Sequence, residues 1–310
     1  MPSSNYTQAR CPPASELVDL RLGYPELNVN RIDFIREAAH AQFNENDPTF
    51  YLYGQNRGYR EFREDLAKFL TTNYGFYVDT DELMIVNGSA GGLDLICRML
   101  TTPGDVIFTE DPTYFLAEGT FRDYHLKTVQ IPMYADGVDM VEFERLLTIH
   151  KPKLFYTIPV GHNPTGRTTS QKKREELAVL ALRHDFFIVA DEVYQLLTFP
   201  GNEETASILV VLLLASVLDV KLPDFEYEIP LGGYFLIAKV PPDLDVPELW
   251  QIANRFGVNF LPGSEFGKAF PNYIRLSFSF YTADEIEEGI SRLKAAVEEC
   301  RQSPKALLIA

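Results

Sequence analysis

Two polar groups stand at the carboxyl ends of neighbouring apolar runs. Asn163-Pro164-Thr165-Gly166 follows Leu154–Ile158, and Asp191 follows Phe186–Ala190. Between them, Gln171–His184 has helical spacing, with Leu177, Leu180 and Ala181 on one face and Lys172, Lys173, Arg174 and Glu175 mostly on the other. The unit reads as strand, helix, strand, and parallel sheets bind small ligands at the carboxyl edge of their strands. Taken singly, Asn-Pro and Thr-Gly are ordinary turn dipeptides, and an acid after a strand is often a helix cap. Both at matched ends of one crossover unit point to a site. A second candidate is Asn87-Gly88-Ser89-Ala90-Gly91-Gly92, a small-residue turn after the expected strand Glu82–Val86. A turn of this kind feeding the helix Leu93–Leu100 offers unpaired backbone N–H groups and a positive dipole end, which suit a phosphate. Many such turns carry glycine with no ligand.

The elements that must position these groups alternate regularly. Asp105–Thr109, Leu126–Ile131, Leu154–Ile158 and Phe186–Ala190 read as strands, with helices between them. Asp111-Pro112 is a good helix start and puts Tyr114 in the first turn, where an aromatic could stack on a planar group, though packing is its commoner fate. The pattern defines an α/β protein with a mainly parallel sheet. Further on, Gly233–Val240 and Tyr273–Phe280 read as strands, and Pro247–Phe256 and Ala283–Cys300 as helices, of a smaller α+β unit. The expected division is an N-terminal arm over 1–45 packing with the small domain, a large ligand-binding domain over 46–219, and a small C-terminal domain over 220–310.

Composition narrows the class. A net charge of −16 argues against a nucleic-acid-binding surface, because phosphate contacts need clustered Lys and Arg. The longest apolar run, Ile208–Ala215, is well short of the ~20 residues a membrane helix needs. Cys11, Cys97 and Cys300 are far apart and the five histidines lack metal-ligand spacing, so no metal is expected and the cytoplasm is the default compartment.

The stretches YLYGQNRGYREFREDL, NGSAGGLDL, EDPTY, HNPTG, ADEVY, GGYF, LPGSEF and IRLSFSF resemble, in order and over nearly the whole chain, the class I/II (fold-type I) pyridoxal-phosphate-dependent aminotransferases. The wording is nearest the branch with the 2-aminoadipate and aromatic aminotransferases. The resemblance implies a pyridoxal-phosphate transferase fold, pyridoxal 5′-phosphate as cofactor, amino acids and 2-oxo acids as substrates, and a homodimer. It implies that Ser89 and Ala90 face the cofactor phosphate and Tyr114 stacks on the pyridine ring. Asn163 and Tyr194 would bond the ring hydroxyl, and Asp191 the ring nitrogen. Arg275 would clamp the substrate carboxylate, with Asn163 and Gly23 beside it, and Tyr53 would reach the neighbouring subunit's phosphate.

The resemblance breaks between Phe199 and Gly232. Relatives carry there a Schiff-base lysine and a phosphate-binding arginine. This chain has no arginine in that interval, and its one lysine there, Lys221, precedes Leu222-Pro223 instead of a small-residue turn. Lys221 is thus a weak candidate for the catalytic lysine. The large domain is expected to be partly truncated, with an unpaired sheet edge or an uncovered apolar face. Ile208–Ala215 could cover the gap as a core helix or as a substitute strand. Transaminase activity is then doubtful and the cofactor non-covalently held or lost. The alternative function is an inactive truncated homologue or a partner-binding subunit.

Overall fold

The computed structural model describes residues 13–25, 32–44, 52–197 and 206–302. The start of the arm, the stretch 26–31 and the segment 198–205 at the head of the break lie outside the described residues.

The main sheet has five strands, β2 (Val106–Asp111), β3 (Lys127–Tyr134), β4 (Gly137–Val138), β5 (Leu154–Thr157) and β6 (Phe187–Ala190), in the order β4-β3-β2-β5-β6. All neighbours run parallel except β4, which is antiparallel to β3. Parallel strands are covered on both faces, which is why β2 and β5 read as apolar runs and not as alternating ones. Side chains alternate across the sheet accordingly. Phe108 and Phe155 pack on one face with Phe143 of α5 (Met140–Leu147) and with Leu177 and Leu180 of α6 (Gln171–His184). Ile107, Leu154 and Tyr156 pack on the other face with Leu93 and Cys97 of α3 (Gly88–Leu100) and with Phe121 of α4 (Phe115–Asp123). Asp139 caps α5 by accepting from the Val141 and Glu142 N–H groups, and Ser170 caps α6.

A second core lies around an antiparallel sheet, β10 (Leu261–Pro262), β11 (Tyr273–Ser277), β8 (Phe235–Lys239) and β7 (Glu226–Tyr227), in that order. It is shared by α7 (Ala206–Lys221), α8 (Val246–Arg255) and α9 (Ala283–Gln302). The N-terminal segment joins it through β1 (Val18–Asp19), which pairs in parallel with β9 (Val258–Asn259), and through buried Val18 and Leu20. Upstream of the main sheet, α1 (Ile32–Asn44) is largely exposed, and α2 (Arg60–Tyr74) buries only Arg63 and Ala67.

The run Ile208–Ala215, open between helix and strand in the sequence, lies in a helix. Val211, Leu214, Val217 and Leu218 enter the second core, so that core takes in residues well before 220. The expected strand Glu82–Val86 forms no ladder: Thr80–Glu82 is a 3₁₀ turn, and no described strand pairs with the extended residues after it. The Ile85 N–H bonds the Arg57 carbonyl instead. An extended segment becomes a strand only where a neighbour accepts its ladder. Among the described residues the sheet ends at β6, which pairs there with β5 alone and whose Phe187 is 57% exposed. No described helix is long and apolar enough to cross a membrane.

Candidate active site

A cavity of about 270 Å³ opens at the carboxyl ends of β2, β5 and β6. Six residues singled out in the sequence line it: Gly23, Ser89, Tyr114, Asn163, Asp191 and Tyr194. Ile158, Val193, Leu197 and Tyr234 complete the wall. No lysine, arginine or histidine belongs to this lining among the described residues.

Asp191 follows the last residue of β6. Its N–H donates to the Thr157 carbonyl at 2.9 Å, and its Oδ2 accepts from the Tyr156 hydroxyl at 2.8 Å. Burial pushes the Asp191 carboxyl above the ordinary aspartate range, and the Tyr156 bond opposes that push. Tyr114 sits at the N-cap of α4, half-buried, with its hydroxyl also pushed up by burial. Tyr194 packs edge-on against Tyr234 at 5.5 Å and Phe235 at 6.2 Å, and burial raises it strongly.

Asn163 is held from the C-terminal side. Its Oδ1 accepts from Arg275 Nη1 at 2.8 Å, while Nη2 donates to the Arg21 carbonyl at 2.6 Å. The Arg275 guanidinium lies 3.8 Å over the Phe235 ring, a contact that an arginine's flat cation suits. Arg275 therefore stands behind Asn163, buried, and is not in the cavity wall. The two cores meet closely here. Gly166 has φ +70, and a Cβ on it would lie 2.7 Å from the Phe235 carbonyl oxygen and 2.6 Å from Pro230 Cβ. Only glycine meets both demands.

At the opposite end, α3 begins at Gly88, the side chain of its N-cap residue Asn87 makes no capping hydrogen bond, and Ser89 in its first turn lines the cavity. Ala90 is exposed beside Ser89 and is not in the lining. Tyr53 is fully exposed and away from the cavity. Lys221 is not brought to the site. Its Nζ bonds Ser291 Oγ at 2.6 Å and lies 3.3 Å from Glu287 on α9.

Three residues near the site were not singled out by sequence reasoning. Tyr156 is one. Its signal was strand register, since it pairs with Val189 and so shares a face with the residue two further on, Asp191. The others are Glu110 and His162, both wholly buried. Glu110 accepts from Thr157 Oγ1 at 2.6 Å and from the Ile158 N–H at 3.0 Å. His162 Nδ1 lies 2.9 Å from Thr165 Oγ1, and Nε2 lies 3.0 Å from Glu110 Oε2. The latter contact is close but is not an aligned hydrogen bond. Together they tie the Asn163 loop to β2 and β5. The sequence signal was a glutamate following the apolar run Val106–Phe108 near the end of β2.

Tyr114, the half-buried Asp191 carboxylate and the turn at Ser89 thus meet in one cavity at the sheet edge. The fold has solved counterparts: the kynurenine aminotransferase of Pyrococcus horikoshii, solved with pyridoxamine phosphate, superposes with a TM-score of 0.83 at 24% identity, over 92% of this chain and 91% of that one. The model for aminotransferase class I and II matches residues 16–217, and the chain belongs to that family. It is 25% identical to aromatic-amino-acid aminotransferase 1 of Thermococcus litoralis over 92% of this chain and 89% of the relative. It is 32% identical to an aromatic amino acid aminotransferase of Schizosaccharomyces pombe over 57% and 41% of the two chains. The Thermococcus alignment runs over 371 positions against a chain of 310 residues, so at least 61 of them hold a residue of the relative alone.

Proposed function

We propose that this chain is an aminotransferase-family protein that holds pyridoxal phosphate by non-covalent contacts and has lost amino-group transfer. One observation carries the reading: among the described residues the cavity wall keeps Asp191, Tyr114, Asn163 and Tyr194 but includes no amine. The ring end fits the cofactor. Asp191 is half-buried and anchored where it can pair with a protonated pyridine nitrogen, Tyr114 offers a flat face, and Asn163 and Tyr194 offer partners for a ring hydroxyl. The aldehyde end does not fit, because Lys221 is committed to Ser291 and Glu287 on α9. The phosphate end is half-fitted, with Ser89 and backbone donors but no cation.

When bound, such a cofactor supplies an electron sink for a substrate carbanion. This chain's residues would orient the ring, and Arg275 would reach a substrate carboxylate by way of Asn163. No group in the wall is placed to serve as the amine base that moves the α-proton. A stretch absent from this chain would fit after β6, since among the described residues neither the outer edge of β6 nor residues 83–86 has a strand neighbour. Exposed Tyr53 and its neighbour Leu52 suit a contact with a second copy of the chain, in a cytoplasmic homodimer. Equilibrium dialysis against pyridoxal phosphate, followed by assay with an amino acid and a 2-oxo acid, tests the reading. Binding that washes out, with no turnover, is expected. Asp191→Asn should weaken that binding about a hundredfold, the effect of removing one partner of a buried charge pair. Steady amino transfer would refute the loss of activity.

A further inference from the structure

Asp191 stands at the end of a strand supported on one side only. Among the described residues its hydrogen bonds come from β5: the Thr157 carbonyl holds its backbone and the Tyr156 hydroxyl holds its side chain. Tyr156 is 1% exposed, and its ring is locked edge-on against Phe121 at 5.5 Å, so its hydroxyl has little freedom to point elsewhere. We propose that Tyr156 is a positioning residue, whose hydroxyl turns the Asp191 carboxylate toward the cavity as the partner of a protonated ring nitrogen. The inference rests on the function proposed above and sharpens it. With no covalent anchor, the pairing at Asp191 becomes the main hold on a ligand ring.

The chemistry of the pair supports the assignment. A phenol donating to a carboxylate stabilises its ionised form, and here it works against the burial that favours the neutral acid. Titratable or charged groups around Asp191 and the tyrosines beside it include Glu192 next in the chain, Tyr114 before α4, Tyr194 after β6, Tyr24, Tyr234, Glu110 on β2 and Arg275 on β11. Burial pushes the Tyr114 and Tyr194 hydroxyls upward, so both stay neutral through the acid and neutral range.

The test uses the full chain and pyridoxamine, which has no phosphate to titrate. Its affinity is measured by calorimetry from about pH 5 to pH 9. The wild-type protein should lose affinity on the acid side as Asp191 takes up a proton. In Tyr156→Phe the acid midpoint should move upward, and binding at about pH 6 should weaken about tenfold or more, as expected for loss of a hydrogen bond to a charged group. Tyr156→His keeps a donor and should recover part of both, and it serves alone if the phenylalanine variant does not fold. Wild-type midpoints in both variants would overturn the role of Tyr156 while leaving the pocket intact. A wild-type chain that binds neither pyridoxamine nor pyridoxal phosphate would remove the proposed function and this inference with it.

Discussion

β5 and β6 are adjacent parallel strands of similar make-up, Leu-Phe-Tyr-Thr and Phe-Ile-Val-Ala, yet every residue of β5 is buried and β6 is largely open. Apolar sequence made both of them strands, but burial depends on what lies alongside. β5 has β2 on one side and β6 on the other, with helices on both faces. β6 has a single neighbour among the described residues. The contrast runs straight into the site, because Asn163 follows the well-supported strand and Asp191 the poorly supported one. The loop after β5 is tied down by Glu110, His162, Arg275 and the Gly166 contact. Among the described residues Asp191 is tied down by β5 alone.

Substitutions can break or sharpen this contrast. Phe155→Ala, in the middle of β5, should cost about 3–5 kcal/mol in denaturant unfolding, the usual cost of emptying a wholly buried phenylalanine site. Gly166→Ala should cost about 2 kcal/mol by the same measurement, because the new methyl must displace Pro230 or the Phe235 carbonyl from a left-handed turn. Asp111→Asn should act in the opposite direction. Asp111 Oδ1 is buried without a hydrogen-bond partner and burial raises its carboxyl above the ordinary range, so the unfolded chain ionises at lower pH than the folded one. Stability then falls as pH rises from the ordinary carboxylate range through the raised value. The asparagine variant should be about 1 kcal/mol more stable near pH 7, and the gain should vanish near pH 3, where both states are protonated. Phe187→Ala, on the open strand, should change stability by less than about 0.5 kcal/mol while reducing aggregation on heating. A cost as large as that at Phe155 would mean that something covers β6 in solution.

How far the sequence could reach follows the same division. The loops that line the cavity are short local patterns, and Gly23, Ser89, Tyr114, Asn163, Asp191 and Tyr194 do meet in one cavity. Whatever depended on a distant neighbour was harder to read. Residues 83–86 have strand-like composition but no ladder partner. The run Ile208–Ala215 is apolar all round, so periodicity could not separate helix from strand, and packing against α9 and β8 decided for helix. Tyr156 lies inside the apolar run Leu154–Ile158, and its register beside Val189 is what puts its hydroxyl on Asp191.

The claim that matters most is that the pocket holds a pyridine ring at Asp191 without bonding to any lysine. Incubation of the purified chain with pyridoxal phosphate, reduction with borohydride and peptide mapping by mass spectrometry address it directly. The account predicts ligand that dialyses away and no lysine modified stoichiometrically. A single lysine, Lys221 or any other, carrying one pyridoxyl group per chain would contradict it.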